Sequence, residues 1–259
     1  MKKEQVFGTF TKTIKCFMRM RSISIFTIFM PMFLLLITGV SLNASVSASD
    51  VPMAKGVLTI SMVAFSLMIA GMMNLAGTIT RDRETGLLTK LKSMPVNPWS
   101  DFLGRIMAST LLSLVASILI IAVGLAYGAR FSANLTNSIE AVGFLILAII
   151  SAAGIGLVIG SYSKLVLSTF FVALAITMVT AFISGIFIPY PVLPSFLQGF
   201  AHVYPIASAT SSSVYLMLGE SAAGYNPLAV GQVISTLLIS IAFLAVGVFI
   251  YSKLAWKRD

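Results

Sequence analysis

Apolar residues gather in six runs along the chain, and polar residues collect between the runs. The six runs are 22–42, 56–79, 103–127, 139–161, 165–188 and 228–252. A bilayer core is about 30 Å thick, and about 20 apolar residues in a helix cross it. The pattern therefore predicts an all-α integral membrane protein in which 22–252 form one domain of six transmembrane helices.

The segment before the first run has a different pattern, which repeats with the period of an α-helix. One face is apolar, and its members are Val6, Phe7, Phe10, Ile14 and Phe17. The opposite face carries Lys12, Lys15 and Arg19. We expect residues 1–21 to form an amphipathic helix along the inner membrane interface. Anchoring to anionic lipid and holding a cytoplasmic partner both explain such a helix.

Composition and charge support this class of protein. The chain is 58% hydrophobic and 10% charged, which excludes a soluble globular domain. Fifteen of the 17 Lys and Arg residues fall on one side of the predicted spans, and only Lys55 and Arg130 fall on the other. The positive-inside rule then places both termini, including a tail of residues 253–259, in the cytoplasm. The net charge of +9 therefore reflects orientation in the membrane rather than binding to nucleic acid.

Several kinds of chemistry have no residues to support them. Cys16 and His202 are the single cysteine and histidine, so an intrachain disulfide or a two-histidine metal site is excluded. No acidic residue falls in the middle of a predicted span, where a coupling ion would be expected to bind. The phosphate-binding pattern GxxxxGK[ST] is missing. We expect no cofactor in this chain and any nucleotide hydrolysis in another polypeptide.

The connection between the second and third runs predicts a short amphipathic helix over 85–94. Leu87, Leu88, Leu91 and Met94 share one helical face, and Pro95 ends the pattern. On physical grounds this face suits lipid and a partner protein equally well.

The segment 188–227 lies on the other side of the membrane and is too apolar for a free loop. It contains Pro189, Pro191, Pro194 and Pro205, while Leu193, Phe196, Leu197 and Phe200 recur at helical spacing. A short outer helix that dips toward the membrane is the interpretation we favour.

Both connecting segments resemble the ABC-2 type family of ABC transporter permeases. The first match consists of Arg81, Asp82, Arg83, Glu84, Gly86, Leu87, Pro95, Val96, Gly104 and Arg105. The second match consists of Ser184, Gly185, Phe187, Pro189, Leu193, Pro194, Leu197, Gln198 and Pro205. Two departures are the missing acid near Thr89 and Lys90 and the missing arginine around 211–214.

The resemblance implies a permease subunit of an ATP-driven exporter in the plasma membrane of a prokaryote. A separate ABC ATPase would bind ATP and Mg²⁺, and a second permease subunit, identical or different, would complete the path for a hydrophobic, amphipathic or glycan-type substrate. The residues expected to couple to the ATPase are Arg81, Asp82, Arg83, Glu84, Gly86, Leu87, Leu88, Lys90 and Leu91. A membrane-embedded enzyme or scaffold without transport activity is the alternative.

Further site residues are candidates for contact with the substrate or the outer gate. Candidates for the substrate path are Met68, Met72, Asn74, Phe182 and Phe187. Flexible thioethers suit irregular apolar ligands, although ordinary packing also explains the methionines, and hydrogen bonding between helices also explains Asn74. Candidates for the outer gate are Pro189, Leu193, Pro194, Leu197 and Pro205.

Overall fold

The computed structural model describes residues 3–19, 21–94, 96–188 and 190–256, and their regular structure is helical. The α-helices are α1 Lys3–Arg19, α2 Arg21–Ser45, α3 Val51–Met68, α4 Leu75–Glu84, α5 Leu87–Ser93, α6 Pro98–Ala126, α7 Leu135–Tyr162, α8 Val166–Ile183, α9 Ser195–Val203, α10 Pro205–Leu218, α11 Glu220–Ala223 and α12 Val230–Ile250. A π-helical turn, Ile69–Asn74, joins α3 to α4, and a second one, Tyr251–Ala255, ends α12. A 3₁₀ turn covers Tyr190–Val192.

Six helices are long and apolar enough to cross a membrane, which confirms the number predicted. They are α2, the continuous helix Val51–Glu84, α6, α7, α8 and the helix Val230–Ala255. The second span is longer than the predicted 56–79, because the helix continues beyond its apolar core at both ends. The fifth span ends at Ile183, earlier than the predicted 188, because Gly185 turns the chain with a φ of 75°.

The second span is the centre of the bundle. Its apolar window is 89% buried, whereas those of the first and last spans are 22% buried. Its neighbours include α2, α6, α7, α8 and α10. A side-chain hydrogen bond also joins the second span to α2, since the Asn74 amide donates to the Thr27 hydroxyl over 2.8 Å. Any movement of this span must therefore be shared with most of the bundle.

The fourth span, α7, lies between the second and sixth spans at contacts that glycine makes possible. A methyl group added to Gly156 would lie 2.1 Å from the carbonyl oxygen of Gly71. One added to Gly154 would lie 2.4 Å from the carbonyl oxygen of Phe243, and one added to Gly247 would lie 2.4 Å from that of Gly154. The backbones touch directly, as small residues allow in membrane proteins.

The segment between the fifth and sixth spans contains the predicted short helix, α9, and a second helix, α10. Pro205 is the first residue of α10, a position where proline fits because its missing N–H would be unpaired anyway. Most of α10 is buried, and hydroxyls on it bond neighbouring spans: Ser208 pairs with Thr236 at 2.6 Å, and Ser213 donates to the Ala141 carbonyl over 3.2 Å. We call the two consecutive helices the hairpin; α10 is embedded in one end of the bundle, whereas α9 buries only Ala201.

We call this end of the bundle the hairpin end, and the opposite end, which carries α1 and α5, the basic end. The first helix, α1, packs across the start of α6, where Val6 and Thr9 approach Gly104. Its buried residues are Thr9, Thr13 and Phe17. The predicted apolar face is thus divided, since Phe17 is buried in the bundle and Phe7 is 70% exposed. Polar threonines, rather than the apolar stripe, make the main contact with the protein.

Candidate functional site

At the basic end, the second span passes into α5 through a tight turn. Gly86 adopts φ 69°, a left-handed conformation that glycine tolerates without strain. The helix after it is confirmed as helical, but it begins at Leu87. Leu88 is only 2% exposed and packs in a cluster with Leu75, Ile79 and Phe102. It holds α5 against the bundle and does not face outward.

The outward surface of α5 is made by other residues. Thr89 and Lys90 are exposed, and Met94 is 51% exposed, while Leu87 and Leu91 are partly covered. Pro95 lies outside the described residues. A protein partner would therefore meet a basic and partly apolar surface rather than a leucine stripe.

Two charged side chains at the end of α4 hold the turn between the fourth and fifth spans. The Arg83 guanidinium donates to the carbonyls of Gly160 at 3.3 Å and Ser161 at 2.9 Å, and also to that of Ser163. The Glu84 carboxylate accepts from the backbone N–H of Val166, the first residue of α8, at 2.7 Å. A cation at the end of α7 and an anion at the start of α8 both complement the helix dipoles.

A buried ionic cluster lies beside these Arg83 and Glu84 contacts and joins four elements. The Arg105 guanidinium is fully buried, bonds Asp101 at 2.8 Å and also bonds Asp82. Lys12 of α1 reaches Asp82 at 2.6 Å, and the Tyr251 hydroxyl at the end of the sixth span donates to Asp101. The cluster therefore links α1 with the second, third and sixth spans.

The charges of this cluster are compensated within it. Two carboxylates, Asp82 and Asp101, face Arg105 and Lys12, and the Thr9 hydroxyl adds a donor to Asp101 at 3.3 Å. Burial lowers the pKa of the Lys12 ammonium from its ordinary value; the Arg105 charge lowers that pKa further, while the Asp82 carboxylate raises it. A compensated buried cluster of this kind is costly to break but adds little net stability.

The family resemblance assigns Arg81, Asp82, Arg83 and Glu84 to one coupling element. In the structure these four side chains have different neighbours. Asp82 bonds within the ionic cluster, Arg83 and Glu84 hold the neighbouring turn, and Arg81 lines a cavity together with residues of α1. Asp101 and Tyr251 were not predicted as site residues. The sequence does contain a pattern that points to Asp101: it precedes Arg105 by one helical turn at the start of an apolar run, a spacing that predicts an ion pair.

The candidates for the substrate path lie at different depths of the bundle. Met68, Met72 and Asn74 are buried in the second span, where Thr177 donates to the Met72 sulfur at 3.5 Å. Phe182 is 51% exposed, and its ring lies 5.2 Å from that of Phe187. Phe187 in turn contacts Phe65 of the second span. Of these five residues, only the Phe182 side chain is largely open to the surroundings of a single chain.

The candidates for the outer gate surround α9. Leu193 is 4% exposed, Pro194 precedes the first residue of α9, and Leu197 is half-buried on that helix. Pro205 is buried at the start of α10. Pro189 lies outside the described residues. The described candidates thus belong to the hairpin, at the opposite end from the ionic cluster. No group of three or more His, Cys, Asp and Glu residues that could hold a metal ion occurs in the described ranges.

Comparison with known proteins gives a family match and several distant relatives. The sequence model of the ABC-2 type transporter family matches residues 4–218. A probable doxorubicin resistance ABC transporter permease protein, DrrC of Mycobacterium tuberculosis, is 24% identical over 153 residues, 59% of this chain and 55% of that one. A probable multidrug ABC transporter permease, YbhR of Escherichia coli, is 24% identical over 164 residues, 62% of this chain and 43% of that one. The matched regions thus cover about half the length of these curated relatives.

Proposed function

The chain belongs to the ABC-2 type transporter family, and we propose that it is the membrane-spanning subunit of an ATP-driven exporter. In this proposal a separate ABC ATPase binds ATP and Mg²⁺ and hydrolyses the nucleotide. A second permease subunit completes the path. The substrate leaves the cytoplasm or the inner leaflet, and the names of the relatives, a doxorubicin resistance permease and a multidrug permease, favour a hydrophobic or amphipathic compound over a glycan.

The observation that carries this proposal is the way in which α5 is joined to the spans. Leu88 fixes α5 to the bundle, and the preceding turn of α4 holds the ends of α7 and α8 through Arg83 and Glu84. A force applied to α5 would therefore reach the second, fourth and fifth spans together. This is what coupling to an ATPase requires, because closure of the ATPase must rearrange the spans.

The proposal includes an orientation in the membrane. The basic end faces the cytoplasm of a prokaryotic cell, since most Lys and Arg residues lie there. Both termini are then cytoplasmic, and the hairpin end faces outward. Phe182 and Phe187 line the substrate path beside Met68, Met72 and Asn74, and the hairpin residues Leu193, Pro194, Leu197 and Pro205 form the outer gate.

A variant of α5 tests the docking of the ATPase. Because Leu88 is buried in the permease itself, its substitution would unfold the element, and the exposed Lys90 and Met94 are the informative positions. Covering a methionine side chain stabilises a contact by roughly 1.5 to 3 kcal/mol, and about 1.4 kcal/mol is tenfold in affinity. The tagged double variant Lys90→Glu, Met94→Asp is purified from membranes of its own host. The amount of ATPase that co-purifies with it should be lower by roughly tenfold or more.

The matched control is Lys164→Glu, which reverses an exposed charge in the turn between α7 and α8 at the same end. This variant should keep the ATPase, and vanadate-sensitive ATP hydrolysis by the purified complex should follow the amount of ATPase bound. Retention of the ATPase by the α5 variant would show that docking occurs elsewhere. Hydrolysis by the chain without any partner would contradict the division of labour.

A further inference from the structure

The helix α1 presents three different surfaces, and only one of them is explained by packing. Successive residues of an α-helix are about 100° apart, so Phe7, Ile14 and Met18 fall within about 20° of one direction. Phe7 is 70% and Met18 74% exposed. The surface with Thr9, Thr13 and Phe17 is buried against the bundle. The third surface carries the basic residues of the helix.

An open cavity of about 300 Å³ lies between this basic surface and the end of the second span. Its lining residues are Lys12, Lys15, Cys16, Arg19, Arg81, Asp82, Thr85 and Leu87. Sites for small ligands in proteins have volumes of roughly 300–1,000 Å³. The cavity is therefore large enough for the headgroup of a lipid, and four of its lining side chains are basic.

Most of the positive charge in the cavity has no partner within the part of the chain that the structure describes. Asp82 is the one acidic lining residue, and it is already bonded to Lys12 and to Arg105. No carboxylate among the described residues lies within salt-bridge distance of Lys15, Arg19 or Arg81. Three cations thus face one open cavity, which makes the cavity attractive to an anion.

We propose that this cavity binds the phosphate headgroup of an anionic phospholipid, such as phosphatidylglycerol. The exposed apolar residues Phe7 and Met18 lie on the same helix, so that acyl chains can pack beside α1 while the headgroup enters the cavity. Arg19 and Arg81 suit phosphate because guanidinium groups donate paired hydrogen bonds to it. A carboxylate of a protein partner would satisfy the charge, but it would leave the adjacent apolar surface without an explanation. The proposal does not depend on the transport function.

The test is retention of lipid by the full-length chain in a mild detergent, measured by native mass spectrometry. Equal amounts of phosphatidylglycerol and phosphatidylcholine are added, and the adducts are compared. A basic side chain near an anionic headgroup strengthens binding by roughly fivefold. The triple variant Lys15→Gln, Arg19→Gln, Arg81→Gln should therefore bind phosphatidylglycerol roughly a hundredfold more weakly, and its binding of phosphatidylcholine should not change.

The matched control removes three exposed lysines elsewhere, as Lys3→Gln, Lys164→Gln, Lys253→Gln, and should bind phosphatidylglycerol as the natural chain does. The pair Arg19→Lys, Arg81→Lys keeps the charge but loses the paired hydrogen bonds, so it should bind phosphatidylglycerol more weakly than the natural chain and more tightly than the triple variant. Should the triple variant not fold, as judged by gel filtration in phosphatidylcholine, the single change Lys15→Gln should still weaken binding by roughly fivefold.

Three results would overturn the proposal. In the first, the control loses as much phosphatidylglycerol as the triple variant, which indicates general attraction to the basic end. In the second, inorganic phosphate binds in the millimolar range and phosphatidylglycerol does not, which indicates a soluble ligand. In the third, the triple variant keeps the lipid and loses a co-purifying ATPase, which indicates a surface for a protein partner.

Discussion

At the scale of single residues, Arg105 has the most demanding environment in the described chain. Its guanidinium is completely buried and bonds two aspartates that lie on different spans. Moving such a charge out of water is expensive, and the cost is met only while both carboxylates remain in place. Arg105 and its partners therefore act as a unit whose members cannot be exchanged one at a time.

Removing Arg105 should consequently cost far more than removing Lys12. Arg105→Met leaves Asp82 and Asp101 without their shared cation, and we expect a loss of roughly 3 to 5 kcal/mol in the free energy of unfolding. Lys12→Met should cost about 1 kcal/mol or less, because its side chain is 29% exposed and Arg105 still faces Asp82. Unfolding in detergent, followed by circular dichroism during titration with sodium dodecyl sulfate, measures both. Equal losses would show that the cluster does not depend on its buried arginine.

At the scale of elements, the contacts of α7 determine how the fourth span can move. Its glycines bring its backbone against the second and sixth spans, which leaves no gap for a side chain to adjust. The π-helical turn Ile69–Asn74 lies at this contact and includes Gly71. A π turn inside an α-helix is often found at functional sites, and here it includes the Gly71 backbone that packs against Gly156 of α7.

Two glycines of α7 provide a matched pair for testing this packing. A methyl group at Gly156 would overlap the Gly71 carbonyl, whereas nothing lies within 4 Å of one at Gly143. Gly156→Ala should lower the free energy of unfolding by roughly 1 to 3 kcal/mol through overpacking. Gly143→Ala should raise it by about 0.5 to 1 kcal/mol, because alanine favours the helix. If both changes stabilise the protein to the same extent, the contact is not as close as described.

The six spans, α5 and α9 could be predicted because each has an apolar pattern of its own. The second helix of the hairpin, α10, could not, since its run of Ala, Ser and Thr shows no apolar stripe and is stabilised by hydroxyl bonds to other spans. The same holds for the site. Arg83 and Glu84 were singled out by resemblance, but their bonds to the turn before α8 depend on tertiary contacts that no local pattern contains. The burial of Leu88 in the bundle could not be predicted either, because the sequence pattern does not distinguish a leucine that faces lipid from one that faces the protein core.

At the scale of the whole molecule, the two ends of the bundle differ in chemistry. The basic end carries the ionic cluster, the Arg83 and Glu84 contacts with the α7–α8 turn and the cavity beside α1, whereas α9 and α10 at the hairpin end contain no Lys or Arg and have aromatic neighbours. Tyr190, His202 and Tyr225 group there, with the ring centroids of His202 and Tyr225 4.4 Å apart. This asymmetry supports a fixed orientation in the membrane.

Two exposed serines at opposite ends test that orientation. With Cys16 replaced by serine, Ser221→Cys at the hairpin end should react with a membrane-impermeant thiol reagent in intact cells. Ser93→Cys at the end of α5 should react only after the membrane is opened, because the positive-inside rule places it in the cytoplasm. Both changes are nearly isosteric, and mass spectrometry measures the extent of labelling. The opposite labelling pattern would mean that the protein is inserted the other way round.

The composition of the ionic cluster also bears on how the chain is made. Its members come from α1 and from three separate spans, and Tyr251, the member from the sixth span, follows Asp101 by 150 residues. During synthesis the early spans enter the membrane with Asp101 and Arg105 already present, but the Tyr251 hydroxyl arrives only with the last span. The cluster is thus complete only when insertion is complete. A chain truncated before the sixth span would therefore leave Asp101 without the Tyr251 hydroxyl.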